Sequence, residues 1–515
     1  MAVHDLHGES VIMSFDGKIL VVGLGAVSRC ALPLLFRHLG VPPRRYTVVD
    51  RAESDIVADA ARRVHESGAT FLREEITPGN VPQVLANHVK PGDLVVDVSV
   101  NVGSAAMARF CHDTGILYAN TSVETWPESA DAPRKPPAQR TLYAVHMAFR
   151  QMIAGWGTHL GPTAVLDHGA NPGLVSHFAK VALQDIANHW LAEHPSGERR
   201  ERIRESLDHR AWNRLAMQLG VRVIHISERD TQVVDAPKEA WELHNTWSAE
   251  AFYAETCHAP VEMGWGTHER RLPSGAFKYR RGPRNQIYLD AAGISTRVRT
   301  WVPSGEIVGF VIPHSEAFTI SDYLTVREGS RTLYRPTVLF AYRPCDSALA
   351  SILELSTRDD GTGFRPRVIT DEIVAGRDEL GVLLMGHDYR TWWTGSVLDI
   401  EEARKLAPHQ NATTLQVASS LMAACRWVMR NRDRGVCFPD DLPHEEILTD
   451  AKPYLGKFIS QQVKWSPTEH RDARAADDLP RSAHGDAWQF ETFLLHKRRR
   501  QPNPIPEPHA VGHDP

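Results

Sequence analysis

The stretch Ile19-Leu20-Val21-Val22-Gly23-Leu24-Gly25-Ala26-Val27-Ser28 decides the fold of this chain. The four apolar residues at its start predict a buried strand, and the apolar spacing from Ala26 to Leu39 predicts a helix that stops at Gly40. A strand that turns into a helix through Gly-x-Gly is typical of a phosphate-binding turn. In such a turn the first glycine permits the bend, the second lets the backbone approach a pyrophosphate, and the helix N-terminus offers free amides.

Predicted strands and helices keep alternating after this turn. The strands are Tyr46–Asp50, Thr70–Glu74, Leu94–Val100 and Ile116–Asn120. Helical patterns lie between them, so successive strands form parallel βαβ units. We therefore predict an α/β protein in which residues 1–155 form a Rossmann domain with a doubly wound parallel sheet.

The remainder of the chain has a different character. A crossing rich in proline and charge at residues 128–137 precedes it, and from about Val221 short strands, aromatics and turn residues prevail. We predict an α+β domain for substrate and subunit contact at residues 156–375. Residues 376–465 are predicted to be a helical part that returns to the Rossmann domain, and the polar tail 466–515 is predicted to be partly disordered.

Composition argues against several classes of function. With 42% hydrophobic and 23% charged residues the chain is typical of a soluble globular protein, and its net charge of −5 leaves no basic footprint for nucleic acid. Six cysteines without a CxxC pair indicate reduced thiols in the cytoplasm. We expect no secretory signal, no membrane span and, because HExxH and similar spacings are missing, no metal site.

The predicted dinucleotide site continues at the end of the second strand. Asp50 lies there, where a carboxylate can accept hydrogen bonds from ribose hydroxyls and disfavours a 2′-phosphate. NAD is therefore expected over NADP, although the neighbouring Arg51 would suit a phosphate. Ser28 occupies the third glycine position of the motif, and the ends of the later strands should line the same crevice. The predicted cofactor-binding residues are Gly23, Gly25, Ala26, Val27, Ser28, Asp50, Asp97, Ser99, Asn101 and Thr121.

The segment from Ile224 to Glu255 is acidic and aromatic. Its acids are Glu228, Asp230, Asp235, Glu239, Glu242, Glu250 and Glu255, and its indole and phenol rings are Trp241, Trp247 and Tyr253. One interpretation is a solvated acidic helix face with its aromatics in the core. The other is a pocket for an organic cation, since carboxylates pair with ammonium groups and an indole face attracts a cation. A keto or amino acid would instead call for arginines, in which the segment is poor.

Two further side chains are candidates for amine chemistry. Glu124 lies just beyond a predicted strand, where an acid could take a proton from an amine. That step matters because an ammonium cannot lose hydride, so the free amine must form first. His314, in Pro313-His314-Ser315-Glu316, is either a structural histidine or part of the site.

Several longer runs make the chain similar to a known family. They are Val22-Gly23-Leu24-Gly25, Thr121-Ser122-Val123-Glu124-Thr125-Trp126, His168-Gly169-Ala170-Asn171-Pro172-Gly173-Leu174-Val175-Ser176, His225-Ile226-Ser227-Glu228-Arg229-Asp230-Thr231, Glu242-Leu243-His244-Asn245-Thr246-Trp247-Ser248 and Pro313-His314-Ser315-Glu316. From about Gly23 to about Asp399 the chain resembles the bacterial homospermidine synthases, which belong to the saccharopine-dehydrogenase-like group of Rossmann enzymes. The tail after Ser466 is not covered.

The resemblance implies an aminobutyl transfer that uses NAD twice. A primary amine of putrescine would be oxidised to an imine, a second putrescine would attack it, ammonia would leave, and the new Schiff base would be reduced. The products would be sym-homospermidine and ammonia, with the nicotinamide returned to its starting state. The resemblance also suggests a homodimer, and it leaves open whether spermidine is a further substrate.

The resemblance also implies roles for single residues. Trp247 would face the cationic intermediate, Glu228 and Glu255 would hold the distal and reacting amines, and Glu124 would assist proton transfer. Asn171 would lie by the nicotinamide and the amine, next to Pro172 as a further cofactor contact. His314 would help to line the amine pocket.

Two other functions stay open at this point. The first is an oxidoreductase of the saccharopine or carboxyspermidine dehydrogenase type, which would need a clamp for a carboxylate. A basic cluster that could supply one, although a surface strand or loop is the expected place for it, is Arg270, Arg271, Lys278, Arg280 and Arg281. The second is an NAD-binding sensor without turnover, whose mark would be a sealed or missing substrate pocket.

Overall fold

The computed structural model describes residues 15–51, 55–127, 135–355, 363–469 and 486–495. Most of its strands gather into two large sheets. The strands are β1 (Ile19–Val22), β2 (Tyr46–Asp50), β3 (Thr70–Arg73), β4 (Leu94–Asp97), β5 (Leu117–Asn120), β6 (Gly161–Val165), β7 (Val223–Asp230), β8 (Val233–Val234), β9 (Glu242–Asn245), β10 (Pro260–Gly264), β11 (Ala276–Lys278), β12 (Gln286–Ala292), β13 (Arg297–Val302), β14 (Gly305–Ile312), β15 (Val326–Glu328), β16 (Arg331–Tyr334), β17 (Thr337–Arg343), β18 (Arg365–Val368), β19 (Ile373–Ala375), β20 (Arg377–Met385), β21 (Thr391–Asp399), β22 (Arg434–Cys437) and β23 (Lys457–Gln462).

Helices flank both sheets. They are α1 (Ala26–His38), α2 (Asp55–Glu66), α3 (Val81–His88), α4 (Ser104–Thr114), α5 (Leu142–Gly155), α6 (Leu174–Glu193), α7 (Glu198–Asp208), α8 (Trp212–Leu219), α9 (Ala249–Tyr253), α10 (Ser315–Tyr323), α11 (Asp346–Leu355), α12 (Ile400–Leu406), α13 (Ala412–Arg430), α14 (His444–Ala451) and α15 (Phe490–Phe493). A π-helical turn, Ala254–His258, follows α9 directly. None of the helices in the described ranges is long and apolar enough to cross a membrane.

The first sheet has seven strands in the order β22-β6-β5-β4-β1-β2-β3, all paired in parallel. Strands β1, β4 and β5 are buried along their whole length, because helices cover both faces of the sheet. The predicted α/β class with a doubly wound Rossmann sheet is confirmed. The sheet also draws on β6 and β22, which lie beyond residue 155, and α13 packs against α1.

The second sheet has ten strands and mixes parallel with antiparallel pairs. Its centre is β7, which pairs in parallel with β17 and antiparallel with β20. Strands β20, β21 and β23 belong to this sheet, so the prediction that residues 376–465 are helical is wrong where these strands lie, whereas α12, α13 and α14 are helical as predicted. A short apolar run such as the one in β20 fits a buried strand as well as a buried helix.

Two segments near the C-terminus complete the set of helices. The pattern of residues 403–431 predicts one helix, but the structure has two, because Pro408 lies between them and the Asn411 side chain caps α13 by accepting from the Thr414 amide. Within the polar tail, the sequence of Trp488–Leu495 predicts a helix that docks on the protein, and α15 lies there with Phe490 and Phe493 buried. The rest of the tail predicted to be disordered, residues 470–485 and 496–515, lies outside the described residues.

Candidate active site

The carboxyl ends of strands from both sheets meet at one cavity of about 1550 Å³. Strands β1, β4, β5 and β6 contribute the segments that follow them, and the second sheet contributes a side chain of β7 and the segment after β14. Ligands of parallel α/β sheets bind at this edge, because the strands there give way to loops and helix N-termini. The Trp247–Glu255 segment lies opposite this edge and contributes Trp247, Ser248, Glu250, Ala251 and Glu255 to the lining.

The glycine loop after β1 has the geometry that a dinucleotide pyrophosphate requires. Gly23 has φ +97°, and a Cβ added to it would lie 2.9 Å from the Val98 carbonyl oxygen. Gly25 is the opposite case: a Cβ there would meet no atom within 4 Å, because the loop faces the open cavity. Gly25 also precedes α1 without any side-chain cap, so the first amides of the helix face the cavity unbonded by a cap. The residues present therefore fit NAD.

Asp50 braces this loop. Its Oδ2 accepts a hydrogen bond of 2.6 Å from the Leu24 amide, and the Gly23 amide donates to the Val49 carbonyl at 2.8 Å. The neighbouring Arg51 is paired with Glu75 at 3.0 Å on the protein surface. The pairing offsets the positive charge that would otherwise suit a 2′-phosphate.

The predicted cofactor residues divide into two groups. Those that line the cavity are Gly25, Ala26, Val27, Ser99, Thr121, Asn171 and Pro172, and those that do not are Gly23, Ser28, Asp50, Asp97 and Asn101. Asp97 is buried and accepts bonds from the Ser99 amide at 3.1 Å and the Tyr118 hydroxyl at 2.7 Å. Burial raises the pKa of Asp97. Asp97 therefore fixes the conformation of the loop after β4 through its bond to the Ser99 amide.

All six side chains predicted to be catalytic line the cavity. They are Glu124, Asn171, Glu228, Trp247, Glu255 and His314. They come from five separate parts of the chain, and the fold brings them together at the meeting of the two sheets. None of the basic cluster Arg270, Arg271, Lys278, Arg280 and Arg281 lines it, and those five residues are exposed.

Asn171 and Glu228 are joined across the two sheets. Asn171 Nδ2 donates to Glu228 Oε2 at 2.8 Å, and Asn171 precedes Pro172 through a cis peptide bond. Glu228 is 2% exposed, and burial together with the nearby Asp230 raises the pKa of its carboxyl group. A carboxyl group in this setting exchanges protons near neutral pH more readily than one in water.

Glu255 and His314 form a second polar pair at the cavity. His314 Nε2 lies 3.1 Å from Glu255 Oε2, and its Nδ1 lies 3.4 Å from the buried Glu316. Burial alone would lower the pKa of His314, but the Glu316 and Glu255 carboxylates outweigh it and raise this pKa well above its usual range. The two carboxylates on either side therefore favour the protonated imidazolium.

Trp247 presents a half-buried indole to the same space. Its Nε1 faces the Tyr342 hydroxyl at 3.4 Å, and its ring meets Phe252 edge to face with centroids 6.3 Å apart. These two contacts fix the plane of the indole. A fixed indole face beside carboxylates can stabilise an organic cation.

Glu124 follows β5 and is held by its own loop. Ser122 Oγ donates to Glu124 Oε1 at 3.2 Å, and the Asn101 amide lies 3.4 Å from Oε2. Burial raises the pKa of Glu124 to about 7, and the charge of Glu255 contributes. A base whose pKa lies close to the working pH is suited to accept a proton from an amine and return it.

Comparison with known proteins agrees with this geometry. Residues 19–165 match the family model "Saccharopine dehydrogenase NADP binding domain", and residues 169–463 match "Saccharopine dehydrogenase C-terminal domain". Homospermidine synthase of Mesorhizobium japonicum is 37% identical over 492 residues, which cover 93% of this chain and 96% of that protein. Homospermidine synthase of Blastochloris viridis is 38% identical over 93% of this chain and 98% of its own length.

The chain belongs to the homospermidine synthase family. The resemblance stated from the sequence motifs is thereby confirmed. A solved structure of the homospermidine synthase of Legionella pneumophila, in complex with NAD, superposes with a TM-score of 0.81 at 35% identity. The match covers 94% of this chain and 98% of that one.

Sequence reasoning left the structure of the acidic segment open and missed one acid of the cavity. The acidic segment is not one helix: it spans β7, β8, β9 and α9, and four of its seven acids, Glu228, Glu242, Glu250 and Glu255, line the cavity. The acidic-helix interpretation is therefore wrong. Asp167, just after β6, lines the cavity as well. The rule that ligands bind beyond strand ends would have found Asp167 if it had been applied to that strand too.

Proposed function

We propose that this protein is a homospermidine synthase, which joins two putrescine molecules into sym-homospermidine and releases ammonia. One observation carries the proposal: an indole, four carboxylates of one segment and a dinucleotide loop line a single cavity. The dinucleotide loop supplies a place for the redox cofactor, and the indole and carboxylates supply partners for diamine cations. A binding place for NAD and a binding place for diamine cations, both of which an NAD-dependent amine transfer requires, thus lie in the same cavity.

NAD is the cofactor in this proposal. When bound, it accepts a hydride from the first amine and returns it to the product. Gly25 and the start of α1 would hold its pyrophosphate, and Asp50 would keep the glycine loop in shape through its bond to the Leu24 amide. Ser99, Thr121, Asn171 and Pro172 would complete its contacts.

Carboxylates of the chain would handle the amines. Glu228, fixed by Asn171, and Glu255, fixed by His314, would each hold an ammonium group of a diamine. Glu124 would take the proton of the amine that is to be oxidised, because only a neutral amine can lose hydride. Trp247 would cover the positively charged imine while the second putrescine attacks and ammonia leaves.

The chain offers little support for a saccharopine or carboxyspermidine dehydrogenase. Such an enzyme would need an arginine free to grip a carboxylate. Three arginines of the cavity lining are in ion pairs: Arg365 with Glu239 at 2.8 Å, Arg367 with Glu372 at 2.9 Å and Arg63 with Asp59 at 2.9 Å. The two others that line it donate hydrogen bonds, Arg29 to the Gly25 carbonyl and Arg37 to the Tyr454 hydroxyl. The open cavity likewise disfavours an NAD sensor without turnover.

Location and assembly belong to the same proposal. All six cysteines are unpaired thiols, as expected for a cytoplasmic enzyme. The residues that the structure describes contain no group of three or more side chains suited to hold a metal ion. We expect a homodimer, as the sequence resemblance suggests, with putrescine as the main substrate and spermidine as a second candidate.

The test is an incubation of the purified protein with putrescine and NAD, followed by mass spectrometry of the amines. Homospermidine and ammonia without net NADH are the expected result. Steady accumulation of NADH, or product only after an amino or keto acid is added, would overturn the proposal in favour of a dehydrogenase. A parallel incubation with spermidine reports the substrate range.

A further inference from the structure

Asp167 is a cavity residue to which the site described above gives no role. It follows β6, and its backbone has φ +59°, a conformation that few residues other than glycine, asparagine and aspartate adopt. The Asn120 side chain fixes this conformation by accepting a 2.8 Å hydrogen bond from the Asp167 amide. The fold thus holds Asp167 in a conformation that glycine would adopt at lower cost.

The carboxylate of Asp167 is buried without a hydrogen-bond partner. The residue is 0% exposed, and neither Oδ1 nor Oδ2 accepts a well-formed hydrogen bond among the described residues. Burial raises the pKa of this carboxyl group to about 7, and the Ser315 hydroxyl and the Val123 amide offset that rise only in part. A buried carboxylate left in this state costs free energy, so a partner is expected from outside the chain.

The neighbouring His146 does not supply that partner. His146 Nε2 lies 3.6 Å from Asp167 Oδ2, beyond hydrogen-bond length, and neither of its ring nitrogens has a hydrogen bond to any residue that the structure describes. Burial lowers the pKa of His146 to about 3, so the ring is neutral at physiological pH. His146 therefore leaves the negative charge of Asp167 uncompensated.

The charges around Asp167 also leave room for a cation. Glu316 and His314 are the charged groups that face it from the other sheet. His314 is already held between Glu255 and Glu316, so three carboxyl groups share one imidazolium. The wall of the cavity at this point has more acids than bases, which suits a ligand with a positive charge.

We propose that Asp167 is a further amine-binding residue of the cavity, which accepts hydrogen bonds from a primary ammonium group. The inference rests on the proposed function for the identity of the amine. Two sources of that group are possible in the reaction: an end of the bound diamine, or the ammonium that forms when ammonia leaves. Both present a compact cation with N–H donors to the carboxylate.

The test compares Asp167→Asn with the wild type. Asparagine has the same shape and tolerates the same left-handed backbone, so the variant removes the charge with little strain. Asp113→Asn, an exposed aspartate of α4 outside the cavity, is the matched control. Equilibrium dialysis measures the dissociation constant of putrescine on NAD-loaded protein, and a rate assay measures inhibition by ammonium chloride against potassium chloride.

Either the dissociation constant of putrescine or the inhibition constant of ammonium should rise in Asp167→Asn. The expected rise is about tenfold to a hundredfold, the range for a hydrogen bond between charged groups. Weaker putrescine binding assigns Asp167 to the diamine, and weaker ammonium inhibition assigns it to the leaving group. Unchanged values for both, with Asp113→Asn also unchanged, would overturn the inference and leave Asp167 as a structural neighbour of α10.

A second measurement covers the case in which Asp167→Asn does not fold. Wild-type crystals soaked in a thallium(I) salt, a monovalent mimic of ammonium, should show an anomalous peak beside the Asp167 carboxylate. A cavity without such a peak would overturn the inference. Homospermidine formation by the wild type is assayed separately, so that a failure of the proposed function is told apart from a failure at Asp167.

Discussion

Replacement of Trp247 tests the cation-binding role of its indole. The ring lines the cavity and is half-buried, so a cation against its face would be largely shielded from water. A cation–π contact in such a setting contributes about 2 kcal/mol, which corresponds to roughly thirtyfold in kcat/KM. Trp247→Ala should therefore lower kcat/KM for putrescine by about thirtyfold. Trp247→Phe should lower it by only about fivefold, because a benzene ring keeps part of the attraction.

Two further variants separate this effect from its alternatives. Tyr342→Phe removes the hydroxyl that faces the indole Nε1 at 3.4 Å but leaves the ring of Trp247 in place, so it should change kcat/KM far less than Trp247→Ala does. Trp241→Ala removes an indole from the same acidic segment that lies outside the cavity, and its activity should match the wild type. Homospermidine formation at saturating NAD is the assay, with circular dichroism as the folding control. Equal losses in Trp247→Ala and Trp247→Phe, with both folded, would refute the role.

Three other outcomes follow from the geometry of the site. Gly25→Ala should fold normally yet bind NAD at least tenfold more weakly, whereas Gly23→Ala should lower the melting temperature, because only Gly23 has a positive φ and a close backbone neighbour. Thermal unfolding measures the melting temperature, and NADH fluorescence titration measures cofactor binding. A lower melting temperature for Gly25→Ala together with an unchanged one for Gly23→Ala would contradict the loop geometry. With a pKa of about 7 in the free protein, Glu124 loses its proton as the pH rises, so wild-type kcat/KM should increase through that pH. Glu124→Gln should be slow and lack this rise, and a variant that keeps it would exclude Glu124 as the base. Glu75→Ala frees Arg51 from its 3.0 Å ion pair and should improve NADPH binding about fivefold, the size of a surface pair, while NADH binding stays constant. Equal titration curves for NADPH in the variant and the wild type would mean that Arg51 does not reach the ribose phosphate.

The first sheet could be predicted from the sequence because its signals are local. The apolar run Ile19–Val22, the two glycines and the helix that ends before Gly40 lie within one βα unit, and each obeys a short-range rule. The same rules located Asp50 and Glu124 at strand ends. The strands and helices that these local patterns predict are also those of the folded protein, because helices must cover both faces of a parallel sheet.

The second sheet was harder to predict. Strands β20 and β21 are buried runs whose apolar spacing fits either a helix or a strand, and only their pairing with β7 and β23 makes them strands. The helix predicted over 403–431 was divided by a proline and a cap. Strand pairing over a long sequence separation produces no pattern in the local sequence from which it could be predicted.

The sequence by itself determined the Rossmann turn, the acidic and aromatic composition of the amine segment and, through its longer motifs, the family. Only the tertiary structure decided which acids act together. Glu228 and Asn171, 57 residues apart, touch because β7 and the segment after β6 meet at the cavity. Glu255 gains its His314 partner in the same way, from 59 residues away. Burial and the resulting pKa shifts depend on distances across both sheets, and chain spacing does not encode those distances.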